Sequence, residues 1–308
     1  MQKLIKGNRI VWILGLMHSG TTIVWRSFRK DKRFLCFDEP FSGLDVLPGQ
    51  NSRKSYGELI NIFERNPRHF WKKYAPLYPL DELDNTFTNG QVEYLQFLLN
   101  QGDSLVIDET HLHTHIESLK KITPSANVMH IYRRASCFAT SHLRPSFSKN
   151  TSWERRVALI IRNEYYKKVF WKRYDFVPGL HRHMTIGNNP QSKFGLMLDD
   201  AGYDSERIMS SPTLVRLLAY WHYHYHYLEK EGPRLFGDRF RSLRYEDFAI
   251  EPTETMNELY QWIGLDEPEG VSYSDVYAPK PAFRFSDRRW REAARIAGFS
   301  EEEIETLL

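Results

Sequence analysis

Ile10-Val11-Trp12-Ile13-Leu14-Gly15-Leu16-Met17-His18-Ser19-Gly20-Thr21-Thr22, continued by Ile23, Val24, Trp25 and Phe28, decides the fold. The apolar run reads as a buried strand, and the spaced apolar residues after Thr22 read as one face of a helix. Between them lies a tight turn that aims backbone N–H groups and hydroxyls at a helix N-terminus, a ready site for phosphate. Gly15 and Gly20 have the spacing of a nucleotide-binding P-loop. The Lys that should follow the second glycine is absent, and Thr21 stands in its place. In loops that use ATP or GTP that Lys reaches the β- and γ-phosphates. The turn is therefore expected to hold a phosphate whose donor is not a nucleoside triphosphate, which argues against a P-loop kinase.

Two further segments fit one anionic ligand. Ala126 to Tyr132 reads as a second buried strand, followed by Arg133-Arg134 and, eight residues after Arg133, by Ser141 on a helix. A guanidinium at a strand end and a hydroxyl two turns into the next helix can converge on a dianionic phosphate. Phe240 to Phe248 reads as a strand leading into Glu251-Pro252 and an amphipathic helix.

With these segments the chain resembles the sulfotransferases that use 3′-phosphoadenosine 5′-phosphosulfate (PAPS). The resemblance rests on Ser19-Gly20-Thr21-Thr22, on Arg133 with Ser141, on Tyr245-Glu246-Asp247-Phe248 and on Phe37-Asp38-Glu39-Pro40-Phe41, in the family's order. It implies an α/β fold of the P-loop nucleoside-kinase-like sulfotransferase type: one domain over 1–308, with a central parallel sheet flanked by helices. It implies PAPS as donor, 3′,5′-adenosine bisphosphate (PAP) as product, and no metal. Ser19, Gly20, Thr21 and Thr22 would hold the 5′-phosphosulfate, Arg133 and Ser141 the 3′-phosphate, and Tyr245 would lie beside the adenine. Arg288 or Arg289 falls where the family places a loop over the nucleotide, although a solvated basic helix start is the plainer reading. His18 replaces the usual Lys or Arg before the Ser, and would have to be protonated to stabilise the leaving phosphate.

Asp108-Glu109-Thr110-His111-Leu112-His113 follows the expected strand Ser104 to Ile107. The cytosolic branch of the family carries Thr-His-Leu-Pro here, and its His is the base. By that resemblance His111 is the expected general base, with Glu109 as second candidate, since a Lys often stands at the Glu109 position in other branches. Without the resemblance, the same cluster reads as a polar strand end with exposed histidines. Carboxylates are dense here, with Asp38 and Glu39 after one strand and Asp108 and Glu109 after another. Internal pairing is the plain account. The sharper one is a cationic small-molecule acceptor, with Trp153 to Phe176 supplying aromatic walls.

The rest of the chain bounds the possibilities. It has 308 residues, a net charge of +3 and ordinary hydrophobic and charged fractions. A nucleic-acid partner is not expected from so small a charge. The longest apolar run, Ile10 to Met17, is too short to span a bilayer, so no membrane partner is expected. Two cysteines without paired spacing fit a cytoplasmic protein. Residues 146–212 are the least regular region and read as an inserted segment shaping the acceptor site. Tyr220 to Tyr227 alternates His and aromatic residues. On a helix only His222 and His226 of that run share a face, and no Glu stands between them as in a zinc protease, so hydrogen-bonded histidines are expected and not ligands. Besides the sulfotransferase reading, a non-catalytic nucleotide-binding protein on a degenerate version of the same fold stays open. The sequence leaves the acceptor, O- versus N-sulfation and the oligomeric state undefined.

Overall fold

The computed structural model describes residues 9–41, 57–65, 73, 84–143, 190–278 and 287–308. The aromatic stretch Trp153 to Phe176 lies outside the described residues, as does the inserted segment up to residue 189. Two compact units emerge. One comprises Met1–Tyr132 with Tyr227–Ala278, the other Arg133–His226 with Pro279–Leu308.

The first unit is built on a five-stranded parallel sheet. Its strands are β1 (Arg9–Leu14), β2 (Leu35–Asp38), β3 (Ser104–Glu109), β4 (Asn127–Tyr132) and β5 (Phe240–Arg244), in the order β2-β3-β1-β4-β5. Helices α1 (Thr21–Arg29), α2 (Gly57–Arg65), α3 (Asn89–Leu99) and α4 (Ile116–Ile122) follow the early strands. A parallel sheet needs such crossovers, and they bury both of its faces. The strand sequences obey this. Ile10, Trp12 and Leu14 of β1 pack on one side with Leu105 and Ile107 of β3 and with Tyr94, Leu98 and Leu119. Val11 and Ile13 pack on the other with Val106, Met129, Val24, Trp25 and Phe28. β1, at the centre, is thus apolar at every position that faces either layer.

Late in the chain come α5 (Ala135–Leu143), α6 (Lys193–Asp200), α7 (Ser205–Met209), α8 (Thr213–Phe236), α9 (Tyr245–Ile250), α10 (Pro252–Trp262), α11 (Asp287–Ile296) and α12 (Glu301–Leu307). Helix α8 runs through Gly232-Pro233 to Phe236. Buried Leu228 and Phe236 hold its last turns in the core. A side chain at 232 would strike the Phe240 ring, so Gly232 permits the close contact. The Tyr245-Glu246-Asp247 segment is not a strand end. The ladder to β4 ends at Arg244, and Tyr245 opens a short helix. Glu246 and Asp247 in its first turn suit a helix N-terminus, and Arg244 pairs with Asp247 at 2.6 Å.

Among the described residues, no helix is long and apolar enough to cross a membrane.

Candidate active site

The register of the central strands assembles the site. Leu14, the last residue of β1, lies opposite Glu109, the last of β3, and Asp38, the last of β2, lies opposite Asp108. The turn after β1, the Glu-Pro segment after β2 and the Thr-His segment after β3 therefore leave the same edge of the sheet. The carboxyl edge of a parallel sheet is where α/β folds bind ligands.

The turn after β1 is tightly held. A Cβ on Gly15 would stand 2.3 Å from the Ile131 carbonyl oxygen. Gly20 has φ 102°, and a Cβ there would lie 2.3 Å from the Tyr245 ring. Tyr245 is buried and donates its hydroxyl to the Tyr277 carbonyl oxygen at 2.7 Å. It thus packs against the turn itself, a contact that sequence reasoning did not supply. The donor set is also narrower than the sequence suggests. The Ser19 N–H is spent on the Leu16 carbonyl at 2.9 Å. The Thr21 hydroxyl lies on the Asp108 side of the turn and favours the ionised form of that buried carboxyl. Thr21 and Thr22 open α1, so their amides have no intrahelical acceptor and point where an anion would sit. His18 is exposed in the same turn.

Among the described residues, two non-glycine residues have positive φ: His18 at 69° and Glu39 at 43°. Both fall at this edge. Left-handed backbone at a residue with a side chain is costly and is held only where the surroundings force it, commonly at functional sites.

Glu109 and His111 form a pair. Glu109 is fully buried, and its Oε1 lies 3.0 Å from His111 Nδ1. The same oxygen accepts from the His111 backbone N–H at 3.3 Å, and Oε2 accepts from the Phe41 N–H at 3.1 Å. An acceptor facing Nδ1 selects the tautomer that carries its proton there, which leaves a lone pair on Nε2. The two base candidates are therefore joined: the carboxylate orients the imidazole. Tyr94 closes the arrangement from α3, donating to the Pro40 carbonyl at 3.0 Å.

The remaining carboxyls carry an electrostatic load. Burial, then the charge on Glu109, pushes Glu39 up to about 7, against an opposing bond from the Thr110 hydroxyl at 3.2 Å. Burial drives Asp108 well above the usual carboxylate range. Asp38 and Glu39 add to this, and the Thr21 hydroxyl opposes it. At this edge Glu39 and Asp108 are pushed toward their protonated forms, and Glu109 pairs with His111. The sequence signal for this grouping was the recurrence of an acidic pair at the ends of β2 and β3, which proved to be neighbours.

In the second unit, Arg133 is buried immediately before α5. Ser141 lies two turns along that helix, with its hydroxyl donating to the Phe138 carbonyl at 2.7 Å. Arg288 and Arg289 are exposed in the first turn of α11.

Known proteins bear on this chain as follows. It is similar in structure to the sulfotransferase domain of the olefin synthase of Synechococcus PCC 7002, with 15% identity, TM-score 0.46, and 90% of this chain and 84% of that one covered. It is similar to a sulfotransferase from Alicyclobacillus acidocaldarius, with 14% identity, TM-score 0.43, and coverages of 94% and 92%. It is also similar to the mouse sulfotransferase SULT7A1 in its complex with PAP, with 11% identity, TM-score 0.35, and coverages of 96% and 66%. No curated protein sequence matches it. The model of the sulfotransferase family matches residues 180–269, so over that segment the chain is similar to the sulfotransferases.

Proposed function

We propose that this protein transfers the sulfuryl group of PAPS to a hydroxyl, or an amine, of a small metabolite. The observation that carries the reading is the Glu109–His111 pair on the same sheet edge as the phosphate-binding turn. In this reading, the Thr21 and Thr22 amides, the Thr22 hydroxyl and His18 hold the 5′-phosphosulfate. Arg133 and Ser141 hold the 3′-phosphate. His111 Nε2 takes the acceptor proton as the acceptor oxygen bonds to sulfur and the bond from sulfur to the 5′-phosphate oxygen breaks. Glu109 is then a positioning residue that also stabilises the imidazolium so formed. As in phosphoryl transfer, alignment and charge stabilisation carry such a reaction.

The carboxyl-rich edge favours an acceptor with a cationic group. Glu109 is engaged by His111 and the Phe41 amide, and Asp108 is sealed from solvent. Glu39, partly accessible and already costly to ionise, is the residue such a cation would relieve.

Donor class is tested by thermal shift, because a ligand of the native state raises the midpoint. PAP is expected to raise it and ATP to leave it unchanged. Incubation with PAPS and a metabolite library, read by mass, then tests turnover. A protein stabilised by PAP that sulfates nothing is the non-catalytic alternative, and one stabilised by neither nucleotide refutes the reading.

A further inference from the structure

Outside the residues assigned to sulfuryl transfer, the second unit gathers two histidines and a carboxylate. His222 and His226 lie one turn apart on α8, and Glu303 lies in the first turn of α12, the last helix of the chain. His222 Nε2 and His226 Nε2 are 3.0 Å apart. Glu303 Oε1 lies 2.6 Å from His226 Nε2, and Glu303 Oε2 lies 3.3 Å from His222 Nε2. We infer that His222, His226 and Glu303 form a binding site for a zinc-type divalent transition metal, which pins α12 to α8.

Three nitrogen and oxygen atoms turned on one point match the three protein ligands of a His₂Glu zinc site. Tetrahedral bonds of about 2.0–2.1 Å set ligand atoms roughly 3.3 Å apart. The observed separations of 3.0 Å between the imidazole nitrogens and 2.6 Å at Glu303 Oε1 need only a small opening. The side chains around the ligands are arranged as an outer shell requires. Tyr203 Oη lies 2.7 Å from His222 Nδ1. When Nδ1 carries the proton and donates to that oxygen, Nε2 offers its lone pair to the metal. Gly298, at φ 101°, lets the Tyr203 ring come so close that a Cβ there would be 2.8 Å away. The Phe299 ring lies 4.3 Å from the His222 ring and fixes its plane. Glu303 Oε2 accepts from the Ser300 N–H at 2.7 Å, which holds the carboxylate with Oε1 turned to His226. His222 is buried while the His226 side chain is 45% exposed, so an ion has an entry path and room for a solvent ligand. No Glu stands between the two histidines in sequence. The third ligand comes from the far end of the chain.

The full-length chain, stripped with a chelator, is titrated with Co²⁺ and then competed with Zn²⁺. One Co²⁺ per chain is expected, with the visible d–d absorption of a four- or five-coordinate ion, and Zn²⁺ should abolish that absorption and raise the thermal midpoint. His226→Ala and Glu303→Gln should each weaken binding by at least about 100-fold, more than the loss of an outer-shell partner costs. Tyr203→Phe should weaken it about 10–100-fold. Gln at 303 keeps the capping box with Ser300, so that variant carries the test if His226→Ala fails to fold. Absence of the absorption, or absorption unchanged in Glu303→Gln, overturns the assignment.

Discussion

Glu39→Gln separates the charge of this side chain from its shape. Gln can still accept from the Thr110 hydroxyl, now 3.2 Å from Glu39 Oε1, but it cannot ionise. Glu39 is held at about 7 against an ordinary 4.5, chiefly by burial. A carboxyl whose folded value is raised binds its proton more tightly in the folded chain. Its contribution to stability is complete below the unfolded value and is lost as pH rises through the folded one. At about 1.4 kcal/mol per pH unit, the native protein loses about 3 kcal/mol from this group between pH 4.5 and 7, and does not recover it above. Variant and native protein should therefore be equally stable near pH 4. The variant should pull ahead through pH 5 to 7 and keep a lead of about 3 kcal/mol at pH 8. In urea, with a slope of ~3 kcal/mol per molar, the lead is about 1 M in midpoint. Midpoints for both proteins at half-unit steps from pH 4 to 8 give the difference curve. A difference that stays flat across that range, or that favours the native protein at pH 8, refutes the electrostatic account of the edge.

His111→Ala should cut turnover by roughly 10²-fold or more while PAP affinity by calorimetry stays near native, because only the proton acceptor is lost. Glu109→Gln should also depress turnover. If His111→Ala is benign and Glu109→Gln inactive, the carboxylate is the base. Gly20→Ala should abolish PAP binding, since it forces a Cβ into the Tyr245 ring at a left-handed φ. Adding Tyr245→Ala should restore part of that binding by removing the clash but not the backbone strain of roughly 1–2 kcal/mol, and no recovery would contradict the packing described. Arg133→Ala should weaken PAP binding by a few kcal/mol, as for a lost charge-assisted pair, and unchanged calorimetric affinity would remove Arg133 from the site.

The turn from Gly15 to Thr22 was legible because its glycines do work that no other residue can do. Gly15 sits against a carbonyl and Gly20 has a left-handed φ beneath a ring. The central strands were legible because both faces of β1 are buried, which leaves an unbroken apolar run. Strand order was not readable from local pattern, and so neither was the meeting of Glu39 with Thr110 or of Phe41 with Glu109. Sequence alone offered His111 and Glu109 as rivals, whereas the short step between them in the chain folds into one hydrogen-bonded pair. The segment at Tyr245 was misread as a strand because the β-favouring residues before it continue into an aromatic, while the acidic residues that start a helix come one position later. The expected aromatic walls from Trp153 to Phe176 lie outside the described residues.

The strand order also governs how the protein comes into being. Every neighbour in the sheet is remote in the chain: Arg9 must wait for Ser104, and Val128 for Phe240, roughly 110 residues later. On a ribosome adding about 5–20 residues per second, the last strand emerges some 6–20 s after β4 has left the tunnel. During that interval the nascent chain carries Asn127–Tyr132 as an unpaired, largely apolar edge, the kind of surface that pairs with whatever strand it meets first. Yield in a heterologous host should thus depend less on the finished molecule's stability than on whether a holdase covers β4 until Phe240 arrives.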